Sequence, residues 1–546
     1  MKPTRYTDEM IAEYVGKGVW NDTTFAQAWD RAAEQYPQKE AIVDSRTRLT
    51  WAEAKQRIDR IALGLMELGI GQDKVLVVQL PNCAELMLLY VACEKAGIIN
   101  LTIYRTMRHK EVEYMLANTD AEGIVIPWKF RDFDHFAMIQ EMRPNLPHLK
   151  HIIVVGDEVP QGAISLEEMM RQPLEKKYPP EKLQETRYAA FDVTRIRHTT
   201  GTTGMPKLVE ETICNRMLLA RELVRVFKLT HDDVLAAPTP LTGGPGAPAM
   251  LATPLLGAKA VCEEHFDADE LLRLIEKERV TAMGVVPTVL ERLAHHPNVG
   301  KYDLSSLRII CCSGAPLAPE LAVEAEQKLG CPIMQRYGII DAGTISATMA
   351  DDPQEVRHKT VGKPHPGNEV KLIDEAGNEM PPGADGEIVF RGPLTHPGYF
   401  RDLERTWQTW GREGWYATGD LGRFDAHGNL MIVGRVKDMI IRGGNNIYPI
   451  EIEGPLTMHP KVADVAVVGM PDPVMGEKVC AYVVLRPGQQ LTLDEVLSFL
   501  KDKDLQPWKL PERLEVITEM PYVAGQKVNK KALRQDIADK LKAEGK

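Results

Sequence analysis

Residues 74–95 read KVLVVQLPNCAELMLLYVACEK, and this stretch decides the fold class. Its first part, 74–80, is a short apolar run that predicts a buried strand. In 84–95, Leu86, Leu89 and Tyr90 recur at helical spacing, which predicts a helix. The same strand signal, flanked by helical stretches, returns at residues 123–126, 151–155, 234–237 and 307–312. This alternation is typical of layered α/β domains with largely parallel sheets.

The pattern changes twice toward the end of the chain. After about residue 360, short strands with tight turns, as at 370–378 and 424–430, predict a small antiparallel, barrel-like section. After residue 434 the chain has the pattern of a compact α+β unit. We therefore expect a large N-terminal α/β domain over 1–434, which includes the barrel-like section, and a small C-terminal α+β domain over 435–546.

Charge and hydropathy narrow the classes of function. The 546 residues include 66 basic and 77 acidic side chains, a net charge of -11, which argues against nucleic acid as a partner. Residues 435–546 hold 17 basic and 16 acidic side chains, so the acidic excess belongs to the larger domain. We expect no membrane span, because no apolar run approaches the roughly 18 residues that a span needs. The start of the chain also lacks the apolar core of a secretory signal.

The eight cysteines form no C-x-x-C pair, and most of them lie inside apolar runs. This pattern is typical of buried thiols in a reducing compartment, so we expect a cytoplasmic protein without disulfides. The fourteen histidines show no zinc-ligand spacing, which argues against a transition-metal centre. A homodimer stays open, because no heptad pattern is readable.

The strongest local motif is HTTGTTGMPK at residues 198–207. Its four threonines and two glycines provide hydroxyl and backbone N–H donors, which suit phosphate oxygens, and Lys207 adds a positive charge. The motif is not a Walker A loop, because Lys207 follows a proline and precedes Leu208. It predicts a phosphate-binding loop, with a solvated linker as the structural alternative.

Further motifs follow in order along the chain: SGAPL at 313–317, YGIID at 337–341, YATGD at 416–420 and GRVKD at 434–438. With 198–207, they resemble the motifs of the adenylate-forming family, which comprises acyl-CoA synthetases, aryl-acid adenylating enzymes and luciferases. The resemblance spans about residues 25–535. Within the family, residues 16–22, 509–513 and 527–535 are most similar to the 2,3-dihydroxybenzoate-adenylating branch.

The resemblance implies ATP, Mg²⁺ and coenzyme A as cofactors. The residues that it implies for binding ATP or AMP are Thr199, Thr200, Gly201, Thr202, Thr203, Gly204, Lys207, Gly314, Ala315, Pro316, Tyr337, Gly338, Ile339, Asp420 and Arg435. Asp420 would accept hydrogen bonds from the ribose hydroxyls. Thr200 and Asp341 are implied for magnesium. Asp341 is one methylene shorter than the family's usual glutamate, so water would complete the contact.

Lys527 is the implied catalytic residue, whose positive charge would stabilise the transition state between the carboxylate and the α-phosphate. The resemblance also implies a mobile C-terminal domain that rotates about a hinge at Lys437 between two half-reactions. Gly443 and Gly444 begin GGNNIYP, which is similar to a loop of members that use CoA. This similarity favours free CoA over a carrier protein as the acyl acceptor.

The chain departs from the family pattern near the acid substrate. The pocket residues implied by the resemblance are Leu241, Thr242, Gly243, Gly314 and Ile340. The family usually has a histidine or aromatic residue within 238–248, and the dihydroxybenzoate branch has an asparagine, whereas this segment offers little polarity beyond two threonines. Because this segment offers few polar partners, we expect an unsubstituted apolar acid that is benzoate-like, alicyclic (cyclohexanecarboxylate) or medium-chain. Two other departures are Ile340, in place of the small or hydroxyl residue that touches the α-phosphate, and Gln526, in place of a glycine before the catalytic lysine.

The leading hypothesis is an ATP-dependent carboxylic acid–CoA ligase that releases AMP and pyrophosphate. The nearest alternative is a stand-alone aryl-acid adenylating enzyme that loads a carrier protein. A degenerate family member that binds nucleotide without turnover is a third hypothesis, motivated by Ile340, Asp341 and Gln526. A luciferase-like oxygenase is a fourth.

Overall fold

The computed structural model describes residues 1–179, 181–199, 205–503, 505–523 and 527–544. The strands of its first half are β1 Glu40–Val43, β2 Arg48–Thr50, β3 Val75–Val78, β4 Ile99–Thr102, β5 Gly123–Pro127, β6 Lys129–Phe130, β7 Phe133–Asp134, β8 His151–Val155, β9 Ile164–Ser165, β10 Val193–His198, β11 Leu208–Thr212, β12 Val234–Ala237, β13 Lys259–Cys262 and β14 Ala282–Val285. The later strands are β15 Ile309–Ser313, β16 Ile333–Ile339, β17 Gly343–Ala347, β18 Lys363–Pro364, β19 Glu369–Ile373, β20 Gly386–Arg391, β21 Tyr416–Phe424, β22 Leu430–Arg435, β23 Ile440–Arg442, β24 Asn445–Ile447, β25 Val462–Asp472, β26 Gly476–Leu485, β27 Arg513–Ile517, β28 Tyr522–Val523 and β29 Lys527–Val528.

The helices complete the layers around these strands. Those of the first half are α1 Asp8–Gly16, α2 Phe25–Gln35, α3 Trp51–Glu67, α4 Ala84–Ala96, α5 His109–Asn118, α6 His135–Met142, α7 Leu166–Arg171, α8 Lys182–Glu185, α9 Ile213–Phe227 and α10 Thr253–Leu256. The later helices are α11 Ala268–Glu278, α12 Pro287–Ala294, α13 Pro319–Leu329, α14 Gln354–Lys359, α15 Leu403–Trp410, α16 Ile450–Thr457, α17 Leu493–Lys501 and α18 Lys530–Ala543.

Two large sheets carry the α/β part, as the alternating pattern predicts. One has nine strands in the order β18-β17-β16-β15-β14-β12-β13-β1-β2 and is parallel from β16 to β1. The other has seven strands in the order β11-β10-β4-β3-β5-β8-β9, and its pairs are parallel except β10 with β11. Ligand sites in such sheets form beyond the carboxyl ends of the parallel strands.

Helix α4 lies in the core between these layers, and all of its residues are buried. Its apolar character on every side follows from this position, since a helix that faces core all round needs no polar face. Lys95 is buried with it and donates to Asp30 at 2.7 Å and to Asp59 at 2.6 Å, while Glu94 accepts from the backbone of Ala26. Burying the charge of Lys95 is tolerable because two carboxylates pair with it, and burial raises the pKa of Glu94 to about 7.

The antiparallel section is the four-stranded sheet β19-β20-β21-β22. Beyond it, β26 is the central strand of a five-stranded sheet and pairs with β25 and β23 antiparallel and with β27 parallel. Separate apolar clusters cover the two faces of this last sheet. The C-terminal part therefore has a core of its own, as its α+β pattern predicts.

All eight cysteines are free and buried, as their apolar surroundings predict. Burial raises the pKa of each thiol, to about 12 for Cys93 and Cys480 and about 11 for Cys311. In the part of the chain that the structure describes, no helix is long and apolar enough to cross a bilayer.

Candidate active site

Segments that are distant in the chain meet at one edge of the nine-stranded sheet. Strands β12, β15 and β16 run parallel, so their carboxyl ends point to the same edge. The segments that follow them are 238–248, 314–316 and 340–341, which all hold residues implied for the site. The sheet topology thus brings the sequence motifs together.

Asp420, Tyr337 and Arg435 form the first polar group at this edge. The Tyr337 hydroxyl donates to Asp420 Oδ2 at 2.7 Å, and Arg435 Nε lies 2.9 Å from Oδ1. Register places Asp420 opposite Arg435 in the β21–β22 pair. Burial, and next the charge of Asp420, raise the pKa of Tyr337 well above its ordinary value. The group presents one buried carboxylate with two oriented donors, which suits a ligand that carries neighbouring hydroxyls.

Lys207 and Asp341 form the second polar group. Lys207 Nζ donates to Asp341 Oδ2 at 2.6 Å and to the Tyr399 hydroxyl at 3.1 Å, and Tyr399 donates to the same carboxylate oxygen at 3.0 Å. Burial lowers the pKa of Lys207, but the hydrogen bond and charge of Asp341 outweigh it and raise the pKa overall. Lys207 is therefore a cation at neutral pH.

Sequence reasoning missed Tyr399. A bridge between Val209 and Tyr399 places the tyrosine beside β11, which begins directly after Lys207. This contact joins residues about 190 positions apart. Nothing in the local sequence marks Tyr399, so no pattern in the chain could have identified it.

The flanks of the expected phosphate loop lie together. Thr199 N donates to Lys207 O at 3.0 Å, and Lys207 N donates to Thr199 Oγ1 at 3.0 Å. These bonds fix both ends of the segment next to the Lys207–Asp341 pair. The intervening predicted residues, Thr200, Gly201, Thr202, Thr203 and Gly204, lie outside the described residues.

The magnesium expectation rests on Asp341, because Thr200 lies outside the described residues. Within those residues, no group of three or more His, Cys, Asp or Glu side chains could hold a metal. A lone carboxylate still fits Mg²⁺, which usually keeps several waters and binds through one or two carboxylates plus substrate phosphates. The hydrogen bonds that Asp341 accepts from Lys207 and Tyr399 both use Oδ2. Oδ1 is therefore the oxygen that would bind Mg²⁺.

The expected adenine turn is open to solvent. Gly314, Ala315 and Pro316 directly follow β15 and are exposed. Gly314 has a φ of 90°, in the region that favours glycine. The exposed backbone lies beside β16, which carries Tyr337, Gly338 and Ile339. These residues therefore border the same edge of the sheet as the two polar groups.

A small cavity marks the expected acid pocket. It measures about 20 Å³ and is lined by Thr102, Tyr104, Arg195, Ile196, Arg197, His198, Thr242, Gly243 and Ile340. Three of the residues implied for the pocket thus line one cavity. Leu241 is fully buried, with its backbone N–H bonded to Asn82, and Gly314 does not line the cavity. Arg197 Nη2 donates to Thr242 O at 2.5 Å and so narrows the cavity.

The cavity wall contains buried arginines that sequence reasoning missed. We define the arginine cluster as Arg195 and Arg197 on β10, Arg216 on α9 and Arg336 on β16. Arg197, Arg195 and Arg216 lie 3.3 to 3.5 Å from the buried carboxylate of Glu211, and Arg336 donates to Gly244 O. The sequence signal was present: two arginines at alternate positions on one face of an apolar strand.

The expected hinge and CoA loop lie in the C-terminal part. Lys437 is exposed within a 3₁₀ turn, Val436–Asp438, which links β22 to β23. Gly443 and Gly444 have φ values of 55° and 81° and form the two-residue turn of the β23–β24 hairpin. The positive φ values favour glycine at both positions of this turn.

Lys527 begins β29, which pairs with β28 in an antiparallel hairpin that places Lys527 opposite Val523. Its side chain and residue Gln526 lie outside what the structure describes. The catalytic role of Lys527 therefore stays a prediction.

Comparison with known proteins extends these observations. Residues 29–400 match the AMP-binding enzyme family, and residues 451–527 match the AMP-binding enzyme C-terminal domain. The chain is 33% identical over 536 residues to 2-hydroxy-7-methoxy-5-methyl-1-naphthoate–CoA ligase of Streptomyces carzinostaticus, which covers 97% of this chain and 96% of that one. It is 31% identical over 543 residues to 2,3-dihydroxybenzoate-AMP ligase of Bacillus subtilis, with coverages of 99% and 98%.

The fold gives the same assignment. The solved structure of the anthranilate CoA ligase AuaEII, in complex with anthranoyl-AMP, superposes with a TM-score of 0.83 at 25% identity and covers 95% of this chain and 98% of that chain. The α/β class and the family resemblance predicted from the sequence are confirmed. The chain belongs to the AMP-binding enzyme family and is an adenylate-forming acid–thiol ligase.

Proposed function

We propose that this protein joins a carboxylic acid to coenzyme A in two steps. The acid oxygen attacks the α-phosphorus of ATP and pyrophosphate leaves; the CoA thiolate then attacks the acyl carbon and AMP leaves. The observation that carries the proposal is the pair of polar groups at one sheet edge, a lysine–carboxylate pair and a buried carboxylate with two donors. They suit the phosphate and ribose ends of one nucleotide.

The two groups perform different tasks in the first step. Lys207 provides positive charge where pyrophosphate builds up charge on leaving. Asp420 orients the nucleotide through the ribose hydroxyls, so the α-phosphorus faces the acid. When bound beside Asp341, Mg²⁺ supplies charge neutralisation to the phosphates. Lys527 supplies a second positive charge between the acid and the α-phosphate, as the family resemblance implies.

The ribose assignment predicts a graded effect on ATP binding. Asp420→Asn is expected to raise the KM for ATP about ten- to a hundredfold, since it removes a charge-assisted acceptor worth ~1.5–3 kcal/mol. Tyr337→Phe removes only one of the donors to Asp420 and should raise the KM for ATP about threefold. Steady-state ATP–pyrophosphate exchange measures both. Equal effects of the two changes would contradict a direct contact of Asp420 with ribose.

A second, basic cavity supports free CoA as the acceptor. It measures about 450 Å³ and is lined by Arg105, Thr106, Arg108, Phe130, Arg131, Asp132, Phe133 and His135. Within the described ranges, none of the three arginines has an ion-pair partner within 4 Å. Arg105 lies 4.6 Å over the Phe130 ring and Arg108 3.8 Å over the Phe133 ring. Burial, and next the charges of Arg131 and Arg108, lower the pKa of Arg105.

Cationic side chains around aromatic rings suit a phosphorylated nucleotide such as the one CoA carries. Arg105 of this basic cavity directly follows Tyr104 of the acid cavity in the chain, and we propose that the flexible thiol arm extends from one cavity to the other. A carrier protein presents the same thiol arm without the nucleotide and would leave these arginines unused.

This assignment predicts discrimination against dephospho-CoA. Wild-type protein should use CoA with about tenfold higher kcat/KM than dephospho-CoA, and Arg131→Ala should abolish most of that difference. Arg273→Ala, an exposed arginine paired with Glu270 on α11, is the control. Thioester formation from preformed acyl-adenylate is the measurement. If Arg131→Ala keeps the full preference for CoA over dephospho-CoA, the basic cavity does not bind the phosphate by which these two compounds differ.

The proposal extends to domain motion and location. We place the domain boundary at 434/435 and the hinge at Lys437, supported by the exposed turn between β22 and β23. We also place the enzyme in the cytoplasm, supported by its eight unpaired thiols.

For the acid, we propose a cyclic or medium-chain hydrocarbon body, supported by the weakly polar segment 238–248 and by Ile340.

One experiment tests the function as a whole. The protein is incubated with ATP, Mg²⁺ and a panel of acids, with CoA, with a phosphopantetheinylated carrier protein, or with neither, and AMP and thioester are followed by mass. We expect AMP together with acyl-CoA. Thioester on the carrier protein alone would replace the CoA assignment, and a complete lack of AMP would favour a nucleotide-binding role without turnover.

A further inference from the structure

The arginine cluster holds more positive charge than its surroundings neutralise. The exposed fractions of the Arg195, Arg197 and Arg216 side chains are 5%, 14% and 2%, and Arg336 is 6% exposed. Of the carboxylates that the structure describes, only Glu211 lies within 4 Å of any of them. Three guanidinium groups therefore share one carboxylate in a buried region, and the fourth, of Arg336, has no carboxylate within 4 Å among the described residues.

No nearby group supplies the missing negative charge. His396 lies beside Glu211, and burial lowers its pKa to about 3, so it is neutral at pH 7. Burying a charge without a partner costs several kcal/mol, and natural sequences keep such an arrangement where it has a use. The surplus of cations indicates a site for an anion.

The cluster also has unused donors. Arg195 Nε, Arg216 Nε and Nη2 and Arg336 Nη1 are buried and have no hydrogen-bond partner among the described residues, and Arg195 Nη1 has only its ion pair with Glu211 at 3.5 Å. Two other donors brace the acid-pocket segment, since Arg197 bonds Thr242 O and Arg336 bonds Gly244 O. Bracing accounts for those two bonds and leaves the four unused donors unexplained.

The position of the cluster separates it from the reacting end of the acid. Strand β10 runs toward the phosphate loop, and Arg195 precedes Thr199 by four residues, about 13 Å at the rise of a strand. The acid that attacks ATP must lie at the loop end. Arg195 and Arg197 line the same cavity as Thr242 and Ile340, and Arg195 is the farther of the two from Thr199 along the strand.

We propose that the acid substrate carries a second anionic group, a carboxylate, which the arginine cluster binds while the first carboxylate is activated. The substrate class is then a dicarboxylic acid with a hydrocarbon body, and it replaces the unsubstituted acid expected from 238–248 alone. Planar guanidinium forks match carboxylates in two-point contacts, and Arg216 has two such donors, Nε and Nη2, without partners among the described residues. The inference rests on the proposed ligase function.

The test compares matched acids that differ in one group. Benzoate is paired with the three benzenedicarboxylates, cyclohexanecarboxylate with the cyclohexanedicarboxylates, and hexanoate with adipate; the monoamide of each diacid is the neutral control. With ATP, Mg²⁺ and CoA, we expect kcat/KM for at least one diacid to exceed that of its monoacid and its monoamide by about ten- to a hundredfold.

A variant assigns the preference to the cluster. Arg195→Met should bring the ratio of diacid to monoacid kcat/KM close to one, and Arg195→Lys should recover part of it. Melting temperature and ATP binding, measured on the same samples, establish that each variant is folded. A loss shared equally by diacid and monoacid in Arg195→Met would overturn the proposal, because it would mean that the cluster acts on the reacting carboxylate or on the fold.

The outcomes separate this inference from the function it rests on. AMP and acyl-CoA from monoacids with no gain for diacids leaves the ligase function standing and overturns the second-anion site. No AMP from any acid overturns both.

Discussion

Replacement of Lys527 by alanine is expected to lower kcat/KM for adenylate formation about a hundred- to a thousandfold. The reason is electrostatic: joining a carboxylate to an α-phosphate brings two anions together, and removing one oriented positive charge from such a transition state costs ~2.7–4 kcal/mol. ATP binding should change little, because we propose that Lys207, Asp420 and Arg435 hold the other parts of the nucleotide. Single-turnover pyrophosphate release measures the first step.

The control is Lys531→Ala, an exposed lysine on α18 four residues further along the chain. It shares the cationic end of the protein, where residues 527–546 hold seven basic and three acidic side chains. A general loss of positive charge would affect both variants alike. Thioester formation from synthetic acyl-adenylate should survive in Lys527→Ala. Adenylation within about threefold of wild type would remove Lys527 from the mechanism.

The second large effect is expected on stability, from Glu211→Gln. Glu211 is the one described carboxylate that neutralises the arginine cluster, and it is fully buried. Breaking a buried ion pair by removing one partner costs about 3–5 kcal/mol. We expect the melting temperature of the large domain to fall by on the order of 5 °C at pH 7.5. Glu210→Gln is the matched control, since Glu210 is buried next to it but bonds Thr4 instead.

The pH dependence of this effect has a definite sign. Burial raises the pKa of Glu211, but the charges of Arg216, Arg197 and Arg195 outweigh it and hold the pKa well below its ordinary value. A carboxyl whose folded pKa is depressed stabilises the protein above its unfolded pKa, about 4.3, and loses that contribution as pH falls toward the folded pKa. The difference between wild type and Glu211→Gln should therefore shrink below about pH 4. A constant difference from pH 7.5 to pH 3.5 would contradict this account.

The strands were readable because their signal is local. The runs at 151–155 and 234–237 appear unchanged as β8 and β12, and 74–80 and 307–312 appear as β3 and β15 with slightly different ends. Strand order was not readable, because it depends on contacts between distant residues. β1, near the start of the chain, pairs with β13 more than 200 residues later. The tight turn at 374–378 leads into a single bridge, and β19 pairs with β20 instead.

The site residues also fall into two groups, those that local sequence motifs predict and those that depend on contacts between distant segments. Motif residues such as Tyr337 and Asp420 could be named from the sequence because their short patterns carry the family's chemistry. Tyr399 and Arg336 could not, since each reaches the site through contacts with distant segments. The expectation of an apolar acid considered only the 238–248 segment, and the opposite wall on β10 contributes arginines. A pocket is lined by segments that face each other, so the sequence of one segment describes only part of its lining.

The eight buried cysteines allow unfolding of the native protein to be measured by thiol labelling. A thiol reagent reacts with the thiolate, and burial with a raised pKa keeps that species scarce at every described cysteine. Labelling must then wait for local or global unfolding. Cys480 lies in the C-terminal sheet, whereas the other seven belong to the large part of the chain. Modification rates read separately at Cys480 and at the others would therefore measure how often each domain opens, with and without nucleotide, without any engineered label.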